Sequence, residues 1–78
     1  MKVAGYMWSA LFSDGTEMRP YPHVFKSELA AIASREQVTK FKSEGGAFRV
    51  DCRAPEERWY ESESEIDRIN NRMRREAM

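Results

Sequence analysis

The stretch Leu11-Phe12-Ser13-Asp14-Gly15-Thr16-Glu17-Met18 sets Asp-Gly between two apolar runs. Asp-Gly is a strong short-range hairpin signal, because both central residues of a type I′ turn need positive φ and few residue pairs tolerate it. The reading predicts a hairpin that pairs a strand over residues 2–12 with one over residues 17–25. Pro20 and Pro22 lack an N–H, which makes the second strand an edge strand or an irregular one at that point.

A two-residue loop fixes the register and so assigns the faces. Leu11 then lies opposite Met18 and Gly5 opposite Val24, with Val3, Met7 and Phe25 on the same apolar, core-facing side. The other side pairs Phe12 with Glu17, Ala10 with Arg19, Trp8 with Tyr21 and Tyr6 with His23.

Downstream, Ser27 is placed to cap a helix that starts at Glu28 and stops at Gly45-Gly46. Leu29, Ile32 and Ala33 cluster on one side of this helix, while Val38 and Phe41 fall nearly opposite. Two explanations fit: burial on both sides, or a break near Ser34, where Ser34 and Gln37 have the spacing of a second capping box. Residues Ala47 to Arg53 alternate, with Phe48, Val50 and Cys52 on one side and Arg49, Asp51 and Arg53 on the other, which predicts a half-buried strand. Pro55 interrupts it, and Arg58-Trp59-Tyr60 reads as a short fourth strand or an extended link. The last element is a helix over 62–77: Ser62 and Glu65 form a capping box, and Ile66, Ile69, Met73 and Ala77 make one stripe with Asn70 inside it. Acidic residues crowd its start and arginines its end, as the helix dipole favours. The expected fold is therefore α+β: one antiparallel sheet of three to four strands in the order β-β-α-β-(β)-α, with a helix packed on one face and an amphipathic C-terminal helix.

The whole chain is 78 residues, which is one small domain, and its Lys plus Arg count of 13 equals its Asp plus Glu count of 13. A zero formal charge argues against a chain built mainly to neutralise phosphates. One cysteine, Cys52, and one histidine, His23, exclude an internal disulfide and a four-ligand Cys/His zinc site, so neither metal nor other cofactor is expected. No run of 18 apolar residues is present, and a lone cysteine without an address points to the cytoplasm, with no membrane partner. No phosphate loop, H-x-x-x-H or G-x-S-x-G motif occurs, and a pocket of a few hundred Å³ is hard to carve from so small a core, so an enzyme is not expected.

Candidate contact residues follow from the faces. Tyr6, Trp8, Arg19, Tyr21, His23, Arg49 and Arg53 would share the aromatic–arginine side of the sheet, and these are residue types favoured in interface hot spots. The opposing reading has the C-terminal helix cover that side. A second candidate is charged: Glu56, Glu57, Glu61 and Glu63 on one stretch, and Arg68, Arg72 and Arg75 on one ridge of the last helix. The simpler account of those charges is dipole complementation and solubility. A third is a homodimer seam through Ile66, Ile69 and Met73.

In size, element order and opposite-charge patches, the chain resembles the short accessory proteins with which bacteriophages inhibit host machinery, including defence systems such as CRISPR complexes. The resemblance is architectural and covers no residue string. It implies a binding protein that acts by surface blocking or mimicry, with a protein partner. The alternatives are a nucleic-acid-binding regulator that stacks bases on Tyr6, Trp8 and Tyr21, and a homodimeric adaptor.

Overall fold

The computed structural model describes residues 1–18, 20–51 and 53–77. Arg19, Cys52 and the side chain of Ala77, each part of an expectation above, lie outside the described residues. The chain is a small α+β fold with the order β1 (Val3–Met7), β2 (Ala10–Leu11), β3 (Glu17–Met18), α1 (Glu28–Glu44), β4 (Glu56–Tyr60) and α2 (Glu63–Ala77).

The expected single sheet is replaced by two two-stranded antiparallel sheets, β1–β4 and β2–β3. Asp14-Gly15 does turn the chain, but not as a type I′ turn. Gly15 alone takes a positive φ, of 85°. The Gly15 N–H donates to the Phe12 carbonyl at 3.0 Å and the Phe12 N–H to the Thr16 carbonyl at 2.9 Å. Asp14 Oδ1 accepts from the Thr16 N–H at 2.9 Å. This is a three-residue loop ending in a left-handed glycine, the next most common hairpin solution. The register becomes Ala10↔Met18 and Leu11↔Glu17, one residue from the expected pairing. A slip of one residue exchanges the faces of the partner strand.

The second strand does not continue to Phe25. Between β3 and the Tyr6↔Phe25 bridge, a three-residue turn around Pro22 is closed by the His23 N–H on the Tyr21 carbonyl at 2.7 Å. Proline's fixed φ suits the centre of such a turn. β1 meets Phe25 on one edge, through both backbone groups of Tyr6, and takes β4 on the other, with Val3↔Tyr60, Gly5↔Arg58 and Met7↔Glu56. Gly5 is needed here: a Cβ at this position would lie 2.5 Å from Val24 Cγ1 and 2.7 Å from Tyr60 Cε2.

Both faces of β1 are used, which gives two small cores. On one side Trp8, Ala10 and Phe12 are buried with Ala31 of α1 and with Ala47, and Val38 packs against them. On the other, Met7, Val24 and Ile66 are buried, flanked by Val3, Tyr60, Ile69 and Met73. The α2 stripe expected as a dimer seam is thus packed into the chain's own core. α1 runs unbroken for 17 residues, so the break near Ser34 does not occur. The Ser34 hydroxyl instead accepts the Trp8 indole N–H at 3.1 Å. The caps are as expected: Ser27 accepts from the Ala30 N–H at 3.1 Å, and Ser62 from the Glu65 N–H at 3.2 Å. The Glu65 carboxylate closes back on the Glu61 N–H at 2.7 Å.

Asn70, the polar residue in the α2 stripe, is buried and fully used. Its Oδ1 accepts the Val24 N–H at 2.7 Å and its Nδ2 donates to the Val24 carbonyl at 2.9 Å. One side-chain amide therefore stands in for the neighbouring strand that Val24 lacks. Among the described residues, no helix is long and apolar enough to cross a membrane.

Candidate binding surfaces

The Ala47–Arg53 alternation places its faces opposite to expectation. Residues 48–50 dock on β2 through the Phe12↔Arg49 bridge, with the Val50 N–H on the Leu11 carbonyl at 2.8 Å and the Ser13 N–H on the Phe48 carbonyl at 2.7 Å. Arg49, not Phe48 or Val50, turns toward α1, where Glu36 pairs with it. Arg35 also reaches this side, donating to the Arg53 carbonyl at 2.7 Å. The flank of α1 beneath this segment is ionic, so the cation goes inward and the apolar residues go outward. Phe48 is left 59% exposed, Val50 50% and Leu11 37%.

Antiparallel pairing about Phe12↔Arg49 puts Leu11 opposite Val50 and Ser13 opposite Phe48, on the side of the sheet away from α1. Leu11, Phe48 and Val50 therefore form one contiguous apolar face. The β1–β4 sheet has α2 over its outer face, but no described element covers this one.

A second concavity is a cleft of about 600 Å³ between α1 and the C-terminal half of α2. Its floor is the aromatic segment Tyr21, His23 and Phe25. Tyr21 stacks on buried Trp8 with ring centroids 4.4 Å apart and planes 15° apart, and His23 leans on Phe25 at 4.6 Å. Ala30, Ala33 and Ser34 of α1 form one wall, and Asn70 and Arg74 of α2 the other. Burial, and then the Arg74 charge, lower the His23 pKa, which keeps the ring neutral at pH 7.

The expected aromatic–arginine face is thus only partly assembled. Tyr21 and His23 meet at the cleft. Trp8 lies behind them with 0% exposure, covered by α1 rather than by the C-terminal helix, so it belongs to the core. Tyr6 donates its hydroxyl to Glu57 at 2.9 Å, which raises its pKa. Arg49 is engaged with Glu36, and Arg53 Nε bonds Asp51 Oδ2 at 2.9 Å, both away from the cleft.

The charged candidates divide in the same way. Glu56 pairs with Arg58 at 2.9 Å and Glu61 with Lys2 at 3.7 Å, while Glu63 stays exposed in the first turn of α2. Arg68, Arg72 and Arg75 line one exposed hollow on α2, and none of them makes an ion pair among the described residues. The outward Phe48–Val50 pair and Arg74 were missed as contact residues. Their signal was faint: apolar alternation does not reveal which parity faces the core.

Comparison with protein-family models, with curated proteins and with solved structures returned no match.

Proposed function

We propose that this chain is a non-catalytic, cytoplasmic binding protein that works by covering part of another protein's surface, in the manner of a steric inhibitor. The observation that carries this reading is the bare face of Leu11, Phe48 and Val50. A chain of 78 residues has little apolar material to spare, yet it leaves Phe48 and Val50 at least half exposed, with Leu11 partly exposed on the same side of the pairing. Such a patch stabilises an interface core when a partner's apolar surface removes it from solvent. The test is affinity capture from a bacterial lysate with and without nuclease. The reading predicts a stoichiometric protein partner that survives nuclease and is lost from a Phe48→Ser/Val50→Ser variant. A second copy of this chain on the same face would appear as a concentration-dependent mass instead.

One observation favours a second reading, nucleic-acid binding: the unpaired ridge of Arg68, Arg72 and Arg75. It predicts partners that vanish with nuclease and an affinity that falls steeply with salt. Apolar contact through Phe48 and Val50 would be nearly independent of salt.

A further inference from the structure

The cleft does not end at Arg74. A second hollow of about 580 Å³ adjoins the first and shares His23, Phe25, Asn70 and Arg74 with it. The two adjoin along these shared residues and form one trough, with Arg74 lining both arms. One arm is apolar, between the Phe25 and Tyr21 rings and the methyl groups of Ala30 and Ala33. The other arm runs along Val24 and Lys26 to Asp67 and Asn71 of α2.

The charges in the trough are unevenly satisfied. Lys26 is paired with Asp67 at 2.9 Å. Asn70 is spent on Val24. Arg74 makes no ion pair among the described residues, so the one uncompensated charge in the trough is positive and sits at the junction of its arms. We infer that this trough is a peptide-binding site for an extended segment carrying an aromatic side chain and, two residues from it and so on the same side of the segment, a carboxylate. The ring lies in the apolar arm against Phe25 and Ala33, and the carboxylate accepts from the Arg74 guanidinium.

Three features favour a peptide over a small metabolite. The trough is open along its length, whereas a small-molecule site buries most of its ligand. Its two arms need an elongated occupant. Its polar contacts come from one guanidinium and a few exposed groups, which suits the modest affinity per residue of peptide recognition. The site is separate from the bare sheet face and stands or falls without it.

The probe is the blocked peptide acetyl-Gly-Phe-Gly-Asp-Gly-amide, titrated into the labelled full chain and followed by amide NMR shifts. The inference predicts saturable shifts confined to residues 21–26, 30–37 and 67–74. Arg74→Gln should weaken binding by roughly 3- to 10-fold, as expected for a charge-assisted contact at a partly exposed site. Replacing the peptide's Asp by Asn should produce a similar loss, and that loss should not add to Arg74→Gln, because both remove the same contact. Arg74 is exposed and unpaired, so the variant keeps the wild-type spectrum elsewhere. Shifts that do not saturate, that map outside the trough, or that are indifferent to Arg74→Gln would each overturn the assignment. Partner capture undiminished by Phe48→Ser/Val50→Ser, with peptide binding intact, would defeat the reading of the bare face and leave this site standing.

Discussion

Replacing Asn70 by Ala tests how a 78-residue chain holds its last helix to its sheet. The Asn70 amide makes two hydrogen bonds, at 2.7 and 2.9 Å, to the N–H and carbonyl of Val24, which is itself buried. No other described group bonds either atom. Asn70→Ala therefore leaves a buried backbone donor and a buried acceptor unsatisfied, at about 1–3 kcal/mol each. Asn70 borders the cleft, so water reaches part of the vacated space, and a net loss of about 2–4 kcal/mol is expected. A domain of this size has a total stability of about 4–12 kcal/mol, so the loss is a large share of it. Urea unfolding followed by tryptophan fluorescence reads it directly, because Trp8 leaves a fully buried site on unfolding. The melting temperature should drop by more than about 10 °C.

Asn70→Leu separates the causes of that loss. It restores the volume but not the bonds, so it should be as damaging as Ala. Recovery by Leu, or a loss under about 0.5 kcal/mol for Ala, would refute the hydrogen-bond account. Asn70→Asp adds a pH signature. Its carboxylate would face the Val24 carbonyl, which raises the folded-state pKa, so relative to the wild type the variant should fare best below about pH 4 and lose stability as pH rises through that raised value.

Three further outcomes follow. Gly5→Ala should cost about 1–3 kcal/mol, because the new methyl group meets Val24 and Tyr60 at 2.5–2.7 Å; a neutral result in thermal unfolding would contradict the close packing of β1 on the second core. Trp8→Ala should lower stability by about 3–5 kcal/mol, while Trp8→Phe should lose less, giving up the bond to Ser34; a folded Trp8→Ala protein of unchanged stability would return Trp8 to the surface. Acid should destabilise the chain in two windows. The lowered His23 pKa removes stability as pH falls through about 6.5, and the lowered pKa values of Asp14, held by Thr16, and Glu36, held by Arg49, remove more below about 4.5. A pH–stability profile that is flat from 7 to 3 would contradict both.

The parts of the fold legible in the sequence are those written locally. Ser27, Gly45-Gly46, and Ser62 with Glu65 mark helix ends because capping is a matter of neighbouring residues. The Ile66–Met73 stripe announces an amphipathic helix for the same reason. Asp14-Gly15 announces a turn, but not whether it is a two-residue loop with both residues at positive φ or a three-residue loop that takes in Ser13 with Gly15 alone at positive φ. That choice moves the register by one residue, and with it every assigned face of the second strand.

The β1–β4 pairing joins residues 49 to 57 positions apart, and nothing within either strand names the other. The inward turn of Arg49 depends on Glu36 lying beneath it, which is a property of α1 and not of the 47–53 stretch. The candidate site was therefore read in fragments. Tyr21 and His23 were found from aromatic content, whereas Arg74 and the bare face of Phe48 and Val50 needed the fold. Asn70 was visible as the polar break in an apolar stripe, and its meaning emerges only with Val24 opposite it.

On the proposed function, Leu11, Phe48 and Val50 are exposed for a partner and not for want of a core. The most direct measurement pairs stability with capture on the single variant Phe48→Ser/Val50→Ser. With Phe48 59% and Val50 50% exposed, the variant is expected to stay folded with a loss of no more than about 2 kcal/mol, together with loss of the nuclease-resistant partner. A variant that unfolds, or one that captures the same partner undiminished, would contradict it.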